Sequence, residues 1–266
     1  MSEGSSASRP PQHGRATTNP IQCYDILHDS VPPGLDGFRI LHLTDLHVGR
    51  RSTRAVRELA ARPEPPDGPP DLIVLTGDAM SHPGDEPHAL AMLERLAASA
   101  RAPIVGIFGN HDSDDLVRRA GSLPIRWLRN EMVQVHPDLA IVGTSWPEDL
   151  LACPVPARPS FRLCLVHHPT EIHAASRMGM DLVLAGHTHG GQVRLTPDHL
   201  PHTSCDLPGP LASGVLRLDR TTMVISRGLG TVWAPIRLRC PAQAPLLTLR
   251  RGPVEASPTL RRVIRW

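Results

Sequence analysis

The sequence predicts an α/β protein in which two β-sheets pack together, with helices on their outer faces. Strand and helix patterns alternate in the first half of the chain, whereas strands dominate the second half. That alternation is typical of layered α/β proteins. Several strands are continuous apolar runs, such as "DLIVLTGD", which is typical of strands buried on both faces. A chain of 266 residues is long enough for one large domain with a full core.

The predicted strands and helices are separated by turns and loops rich in Gly and Pro. Strands are predicted over residues 21–27, 38–44, 71–78, 103–110, 131–135, 139–143, 160–167, 181–187, 214–218, 222–226 and 245–249. Helices are predicted over residues 52–62, 88–100, 113–129 and 170–177. Gly and Pro mark a turn at 31–37, a linker at 62–70 and a long loop at 190–213.

The two ends of the chain differ in composition from the rest. Residues 1–20 are rich in Ser, Pro and Arg, which predicts a disordered tail. The folded domain is predicted to occupy residues 21–250. Residues 251–266 carry several Arg among scattered apolar side chains, which predicts a basic, solvated C-terminal tail. The alternative for this tail is attachment to an acidic surface.

Composition excludes several classes of protein. The net charge of +2 gives no electrostatic reason to expect nucleic acid as the main partner. The five cysteines are odd in number and contain no C-x-x-C spacing, which argues against a disulfide framework or a zinc ribbon. No stretch has the length of an apolar membrane span, and the N-terminus lacks the apolar core of a signal peptide. We therefore expect reduced thiols and a cytoplasmic protein.

Polar side chains that can bind metals collect where apolar strands end. The strand ends read Thr44-Asp45-Leu46-His47, Gly77-Asp78, Gly109-Asn110-His111-Asp112, His167-His168-Pro169 and Gly186-His187-Thr188-His189. In α/β sheets, ligands bind beyond the carboxyl ends of the strands. The glycines in three of these motifs permit sharp bends and a close approach of the backbone to a site.

The donor types at these ends suit a particular chemistry. Asp45 and His47 stand at i and i+2, so both can project to one side of an extended segment, and the same holds for His187 and His189. Carboxylate, amide oxygen and imidazole together suit divalent Mn²⁺, Zn²⁺ or Fe²⁺. The candidates exceed what one metal needs, and a central carboxylate such as Asp78 could bridge two ions.

The ordered motifs "DLH", "TGD", "GNHD", "VHHP" and "GHTHGGQ" resemble the calcineurin-like metallophosphoesterases. The later "SRGLG" and "PIRLRCP" are similar to one bacterial branch of that superfamily, the YkuE/YaeI-like phosphoesterases. The resemblance spans roughly residues 22–249. It implies a four-layer α/β-β/α sandwich with a centre of two divalent metal ions.

The resemblance also implies a role for each motif residue. Asp45, His47 and His189 would hold one metal, and Asp78 would bridge to the second. The second metal would be held by Asn110, His187 and the first histidine of the H-x-P motif, which maps onto His167. His168 occupies the variable position of that motif, as a candidate for supporting the site or touching substrate. His111 would meet the leaving-group oxygen.

These assignments give a hypothesis for the reaction. A hydroxide that bridges the two metals would hydrolyse a phosphomonoester or phosphodiester, with His111 assisting the leaving group. Asn110 and Arg227 are candidates for contacting the substrate phosphate; for Arg227 a structural salt bridge is an equal alternative. Asp112 is expected to cap the helix that follows it, or else to orient His111. The substrate would be a small molecule or a lipid headgroup.

Two alternatives concern the function as a whole. A binding scaffold could keep the fold without catalysis, but every motif position here holds a residue type that can act as a ligand. A nucleotide or protein phosphatase is the other alternative. Protein phosphatases of the superfamily usually have longer G-D and G-N-H-E signatures that contain further Asp and Arg. Here Asp78 is followed by Ala79-Met80-Ser81, which disfavours that alternative.

Overall fold

A computed structural model describes residues 19–50, 52–65, 67–158, 160–196 and 199–266, so the predicted N-terminal tail lies almost wholly outside it. The strands are β1 (Ile21–His28), β2 (Arg39–Leu43), β3 (Leu72–Thr76), β4 (Ile104–Ile107), β5 (Arg126–Trp127), β6 (Glu131–His136), β7 (Leu139–Gly143), β8 (Phe161–Leu165), β9 (Leu182–Ala185), β10 (Gly214–Asp219), β11 (Thr221–Ile225), β12 (Ala244–Arg251) and β13 (Ser257–Ile264). The α-helices are α1 (Arg54–Ala61), α2 (Glu86–Ser99), α3 (Asp114–Ala120) and α4 (Ile172–Arg177).

The strands form two mixed sheets. The first has the order β1-β12-β2-β3-β4-β5, and the second has the order β13-β10-β11-β9-β8-β7-β6. Strands β2, β3 and β4 run parallel in the first sheet, and β7, β8, β9 and β11 run parallel in the second. The loops that leave these parallel strands at their carboxyl ends therefore lie at one edge of each sheet.

Three apolar layers hold the sheets and helices together. Alternate residues of one strand serve different layers, since Ile40 faces the other sheet while Leu41 and Leu43 face helices. Helices α1, α2 and α3 cover the first sheet, and α4 covers the second. Burial of each such aliphatic side chain contributes roughly 1.5–3 kcal/mol to the free energy of folding. The arrangement is the expected four-layer α/β-β/α sandwich.

The predicted helix over 113–129 is much shorter in the structure. Helix α3 ends at Ala120, where Gly121 and then Pro124 disfavour continuation. The chain next forms the short strand β5, and Trp127 stacks on Phe108 with ring centroids 4.2 Å apart. Tertiary packing of Trp127 therefore replaces the last turns of the predicted helix.

The predicted solvated tail at 251–266 is wrong over most of its length. Residues 257–264 form β13, an edge strand that pairs antiparallel with β10. Its Arg261 is exposed, while Leu260 and Ile264 pack against the apolar layers. Charged side chains are common on edge strands because they discourage pairing with other chains, so a basic sequence is compatible with this position. Among the described residues, no helix is long and apolar enough to cross a membrane.

Candidate metal centre

Five of the predicted ligands share an unusual backbone conformation in the loops that follow the parallel strands. Their φ angles lie in the left-handed region that non-glycine residues rarely adopt. These residues are Asp45 at 50°, His47 at 45°, Asp78 at 56°, His187 at 69° and His189 at 50°. Such strain persists where the surroundings enforce it, and it concentrates at functional sites.

The loops after β2 and β9 bring one group of donor atoms together. His47 Nε2 lies 3.0 Å from His189 Nε2, and His189 Nε2 lies 3.4 Å from Asp45 Oδ1. The Asp45 carboxylate is fixed in turn by the Thr44 hydroxyl at 2.9 Å and by the backbone N–H of His187 at 3.1 Å. All three donor side chains are buried, so this group is rigid as well as compact.

A second group of donors follows β3, β8 and β9. His167 Nε2 lies 3.2 Å from Asp78 Oδ2 and 3.3 Å from His187 Nδ1. The Asp78 oxygen also lies 3.5 Å from His47 Nε2 of the first group. Donor atoms of Asp45, Asp78 and His167 all lie within 4.8 Å of one another, so the two groups are contiguous.

The hydrogen bonds of the histidines decide which ring nitrogens face the centre. His167 Nδ1 lies 2.7 Å from the Thr76 carbonyl oxygen, and His187 Nε2 lies 2.7 Å from that of Ser204. A carbonyl can only accept, so both of these nitrogens carry the proton. The other nitrogen of each ring therefore faces the centre, where a bound cation can accept its lone pair. Carbonyl-oriented imidazoles of this kind are the usual arrangement around a metal.

Asp78 and His167 form a charged pair inside the centre. Burial alone would raise the pKa of Asp78, but the charge and hydrogen bond of His167 outweigh it and hold that pKa well below its usual range. Burial would likewise lower the pKa of His167, but the Asp78 charge outweighs it and raises the pKa to about 9. Burial lowers the pKa of His47 and of His187 to about 4, so these rings are neutral at pH 7.

The stability of the metal-free protein should fall in alkaline solution. The pKa of His167 is about 9 in the folded state and 6.5 ordinarily, so its contribution is complete below pH 6.5 and is lost as pH rises through 9. We expect the Tm of chelator-treated protein to fall by about 5 °C between pH 8 and pH 10. The variant His167→Gln should lack this fall, and an equal fall in both proteins would contradict the assignment.

His111 lies beside the first group and is partly exposed. Its backbone N–H donates to Asp78 Oδ1 at 2.9 Å, and its Nδ1 lies 3.0 Å from the Ser81 carbonyl oxygen. Its ring centroid is 5.0 Å from that of His47. This leaves Nε2 free to reach a substrate. Asn110, the neighbouring predicted ligand, is exposed, and its role stays a prediction.

His168 is sandwiched between two aromatic rings. Its ring lies 3.7 Å from that of His187 at an angle of 27°, and 4.6 Å from that of Trp146 at 23°. Its Nε2 is buried and has no hydrogen-bond partner within the part of the chain that the structure describes. Trp146 is itself 51% exposed. The stack therefore supports one face of His187 from the direction of solvent.

Removing this support should weaken one half of the centre. We expect His168→Ala to lower the affinity of the His167–His187 group for Mn²⁺ by about tenfold, the usual effect of losing a residue that orients a ligand. The variant His168→Phe keeps the stack and should bind nearly as the parent does. Calorimetric titration with Mn²⁺ measures both. If His168→Phe binds as weakly as His168→Ala, His168 acts through its nitrogen instead.

Arg227, the candidate for a phosphate contact, is buried beside β1. It is 5% exposed, and its Nη2 donates to Gln22 Oε1 on β1 at 3.2 Å. The partner of Arg227 is thus a neutral amide rather than a carboxylate, and its contact with a substrate phosphate stays a prediction. Sequence reasoning missed Arg237, whose guanidinium binds the carbonyls of Arg227, Gly228 and Gly230 and lies 3.4 Å from His189 Nδ1. Its position in "PIRLRCP" was the available signal.

Asp112 has a different role from the two that the sequence suggested. The N-cap of α3 is Ser113, whose hydroxyl accepts from the Leu116 N–H. The Asp112 carboxylate instead accepts four backbone N–H groups of the neighbouring loops, from Asp78 at 2.9 Å, Ala79 at 2.7 Å, Met80 at 3.3 Å and Gly109 at 2.8 Å. It therefore joins the loop after β3 to the loop after β4.

Comparison with known proteins agrees with this geometry. The metallophosphoesterase YkuE of Bacillus subtilis, itself uncharacterized, is 27% identical over 236 residues, which cover 83% of this chain and 82% of YkuE. An uncharacterized metallophosphoesterase of Aquifex aeolicus is 26% identical over 251 residues, covering 86% of this chain and 91% of that protein. Phosphodiesterase YaeI of Escherichia coli is 27% identical over 225 residues, covering 80% and 82%. The family model described as calcineurin-like phosphoesterase matches residues 38–191, more than half of the chain. The protein therefore belongs to the calcineurin-like phosphoesterases.

Proposed function

We propose that this protein is a phosphoester hydrolase that works with two divalent metal ions. The observation that carries the proposal is the pair of contiguous donor groups that meet at Asp78. Asp45, His47 and His189 would hold one ion, and His167 and His187 would hold the other, with Asn110 as a further ligand. The nitrogen and oxygen donors suit Mn²⁺, Zn²⁺ or Fe²⁺. Bound there, two such ions would polarise the phosphoryl oxygens and lower the pKa of a water.

The protein would contribute a preorganised set of donor side chains and an acid for the leaving group. The left-handed loops and their hydrogen bonds fix the donors before substrate arrives, so little reorganisation is needed during the reaction. The Ser81 carbonyl accepts the proton on Nδ1 of His111, so His111 protonated on both nitrogens would pass a proton or hydrogen bond from Nε2 to the departing oxygen. We propose no covalent intermediate on the protein, since water is the nucleophile.

A chelation experiment tests the proposal as a whole. EDTA dialysis should abolish hydrolysis of bis-p-nitrophenyl phosphate, and addition of Mn²⁺ should restore it. Metal content should return to about two ions per chain, since a two-ion clamp is what the adjoining donor groups favour. Hydrolysis that survives chelation would refute metal dependence. Full metal uptake without hydrolysis of any ester would favour the non-catalytic scaffold instead.

A single substitution tests the role of His111. We expect His111→Ala to lower kcat by roughly 10²–10³-fold, which is the usual size of general acid catalysis. Metal content should stay unchanged, because the backbone N–H that binds Asp78 remains. His88→Ala, an exposed histidine on α2, is the matched control and should change neither quantity. Loss of metals from His111→Ala would reassign His111 as a ligand.

The substrate class is a finer proposal. We favour phosphodiesters over monoesters because the relative YaeI is described as a phosphodiesterase. Exposed Trp233 and Ile236 lie on the segment that Gln192 and Arg237 tie to the loop of His189, which supports a substrate with an apolar part, such as a lipid headgroup ester. Rates on bis-p-nitrophenyl phosphate, p-nitrophenyl phosphate and a glycerophosphodiester in mixed micelles would separate these classes.

The odd number of cysteines supports a reducing location, which we propose is the cytoplasm.

A further inference from the structure

A cavity distant in the chain from the metal centre lies between β1 and β13, the edge strands of the two sheets. Its volume is about 230 Å³. Five aliphatic side chains supply its apolar wall, namely Ile26, Leu27, Val215, Val263 and Ile264. Tyr24 of β1 and Trp266, which follows β13, stack with ring centroids 4.9 Å apart and connect the two edges. The residues that line the cavity include none of the donors of the metal centre. Two carboxylates also line it, and each is paired with an arginine, Asp25 with Arg250 at 3.2 Å and Glu255 with Arg261 at 2.9 Å.

Arg217 and Thr222 form the polar part of this cavity. They are direct cross-strand partners on β10 and β11, so their side chains are neighbours on one face of the sheet. Arg217 is 7% exposed and Thr222 is 1% exposed. Arg217 Nε and Thr222 Oγ1 are both buried without a hydrogen-bond partner among the residues that the structure describes. The two residues that carry these unsatisfied atoms therefore both line the same small cavity.

Arg217 also has no direct ion pair among the described residues, and the carboxylates of Asp29 and Glu255 act on its charge only from farther away. Its cross-strand neighbour Arg261 is paired with Glu255 at 2.9 Å, and Arg220 is paired with Asp29. Arg217 Nη1 donates to the main-chain oxygen of Glu255 at 3.4 Å. Within the described residues, no carboxylate lies within 4.0 Å of its guanidinium. A buried guanidinium without a counter-charge is costly, and a bound anion removes that cost.

We propose that this cavity binds a small organic carboxylate with a short aliphatic chain. The carboxylate would lie on the Arg217 guanidinium, whose planar fork matches it, and would accept from the Thr222 hydroxyl. The chain would lie along Ile26, Val215 and Val263. A cavity of about 150 Å³ accommodates the six carbons of benzene, so this one has room for roughly nine non-hydrogen atoms. A six-carbon acid has eight.

Calorimetric titration with hexanoate tests the proposal. Hexan-1-ol has the chain without the charge, and acetate has the charge without the chain. We expect hexanoate to bind at least about tenfold more tightly than either, because each comparator loses one of the two kinds of contact. Equal affinity for hexanoate and hexan-1-ol, or no heat of binding with hexanoate up to the solubility limit, would overturn the proposal.

Variants locate the binding. Arg217→Met should lower hexanoate affinity at least about tenfold and should stay folded, because an apolar chain of similar length replaces an unpaired buried charge. Thr222→Val should lower the affinity severalfold and provides a second route if Arg217→Met does not fold. Arg95→Met, at an exposed position on α2, is the matched control and should bind as the parent does. Parent-like binding by Arg217→Met would overturn the proposal.

The competing occupant is an acidic group of a second copy of the chain. Sedimentation velocity over a range of protein concentrations distinguishes it. A dimer that Arg217→Met dissociates would assign the cavity to that contact and overturn the proposal of a small ligand. Metal-dependent hydrolysis should be the same in the parent and in Arg217→Met, so failure here and failure of the proposed hydrolase activity are separable.

Discussion

Asp78→Ala should lose both metal ions and lower kcat/KM for a phosphodiester at least about 10³-fold. The reason is its position between the two donor groups. One carboxylate oxygen lies 3.2 Å from His167 Nε2 and 3.5 Å from His47 Nε2, and the other accepts the N–H of His111. Removal of this one carboxylate should therefore disturb both groups and the position of His111 together.

Metal analysis and steady-state kinetics measure this effect, and two further variants control it. Asp78→Asn keeps the shape but turns an NH₂ group or a neutral oxygen toward the histidine nitrogens, so we expect a loss nearly as large as that of Asp78→Ala. Asp67→Asn, at an exposed position, should change nothing. Circular dichroism must show that Asp78→Asn is folded. A folded Asp78→Asn that keeps two ions would show that Asp78 does not connect the groups.

The clustering of the predicted ligands follows from strand ends, which are visible in a sequence. Apolar runs that stop at Asp45, Asp78 and His187 predict parallel strands whose carboxyl ends share an edge. The glycines before the ligands were predictable for the same reason. A Cβ on Gly77 would stand 2.5 Å from the Gly109 nitrogen, so two loops meet there without space for a side chain. Local pattern and motif order were sufficient for these features.

Contacts between distant loops were not predictable. The sequence offers no sign that Trp146, His168 and His187 stack, since they lie in three different loops, after β7, β8 and β9. The Arg237 brace of His189 depends in the same way on the path of an irregular loop. Single-residue chemistry left Arg227 open between a phosphate contact and a salt bridge, and it gave no sign of the bond from Arg227 to the Gln22 amide on β1.

The C-terminal strand shows how composition can mislead. Residues 257–264 carry two consecutive Arg and a Pro, which reads as a solvated segment. An edge strand needs only one partner and one half-buried face, and the antiparallel pairing with β10 supplies both. This strand also completes the wall of the cavity beside Arg217. Residues that looked like an appendage therefore belong to the fold.

Asp112→Ala should be the most destabilising polar substitution in the centre. Its carboxylate accepts four backbone N–H groups from two loops, with donor–acceptor distances of 2.7–3.3 Å. An unsatisfied buried donor costs about 1–3 kcal/mol, and water can reach part of this half-buried site. We expect a loss of about 3 kcal/mol in the free energy of unfolding and a fall of roughly 6–12 °C in Tm. Thermal unfolding of the metal-free protein measures it.

Two comparisons distinguish this role of Asp112, which joins two loops, from that of an ordinary helix cap. Ser113→Ala removes the N-cap of α3 and should cost only about 1 kcal/mol. Asp112→Asn keeps the shape, but its NH₂ group would face two of the four donors, so its cost should approach that of Asp112→Ala. Because Asp112 holds the N–H of Asp78, both Asp112 variants should also bind Mn²⁺ more weakly at temperatures where they remain folded. If Asp112→Asn has the same Tm and the same Mn²⁺ affinity as the parent, then hydrogen-bond acceptance by this carboxylate does not position the centre. The left-handed loops would then hold their shape without it.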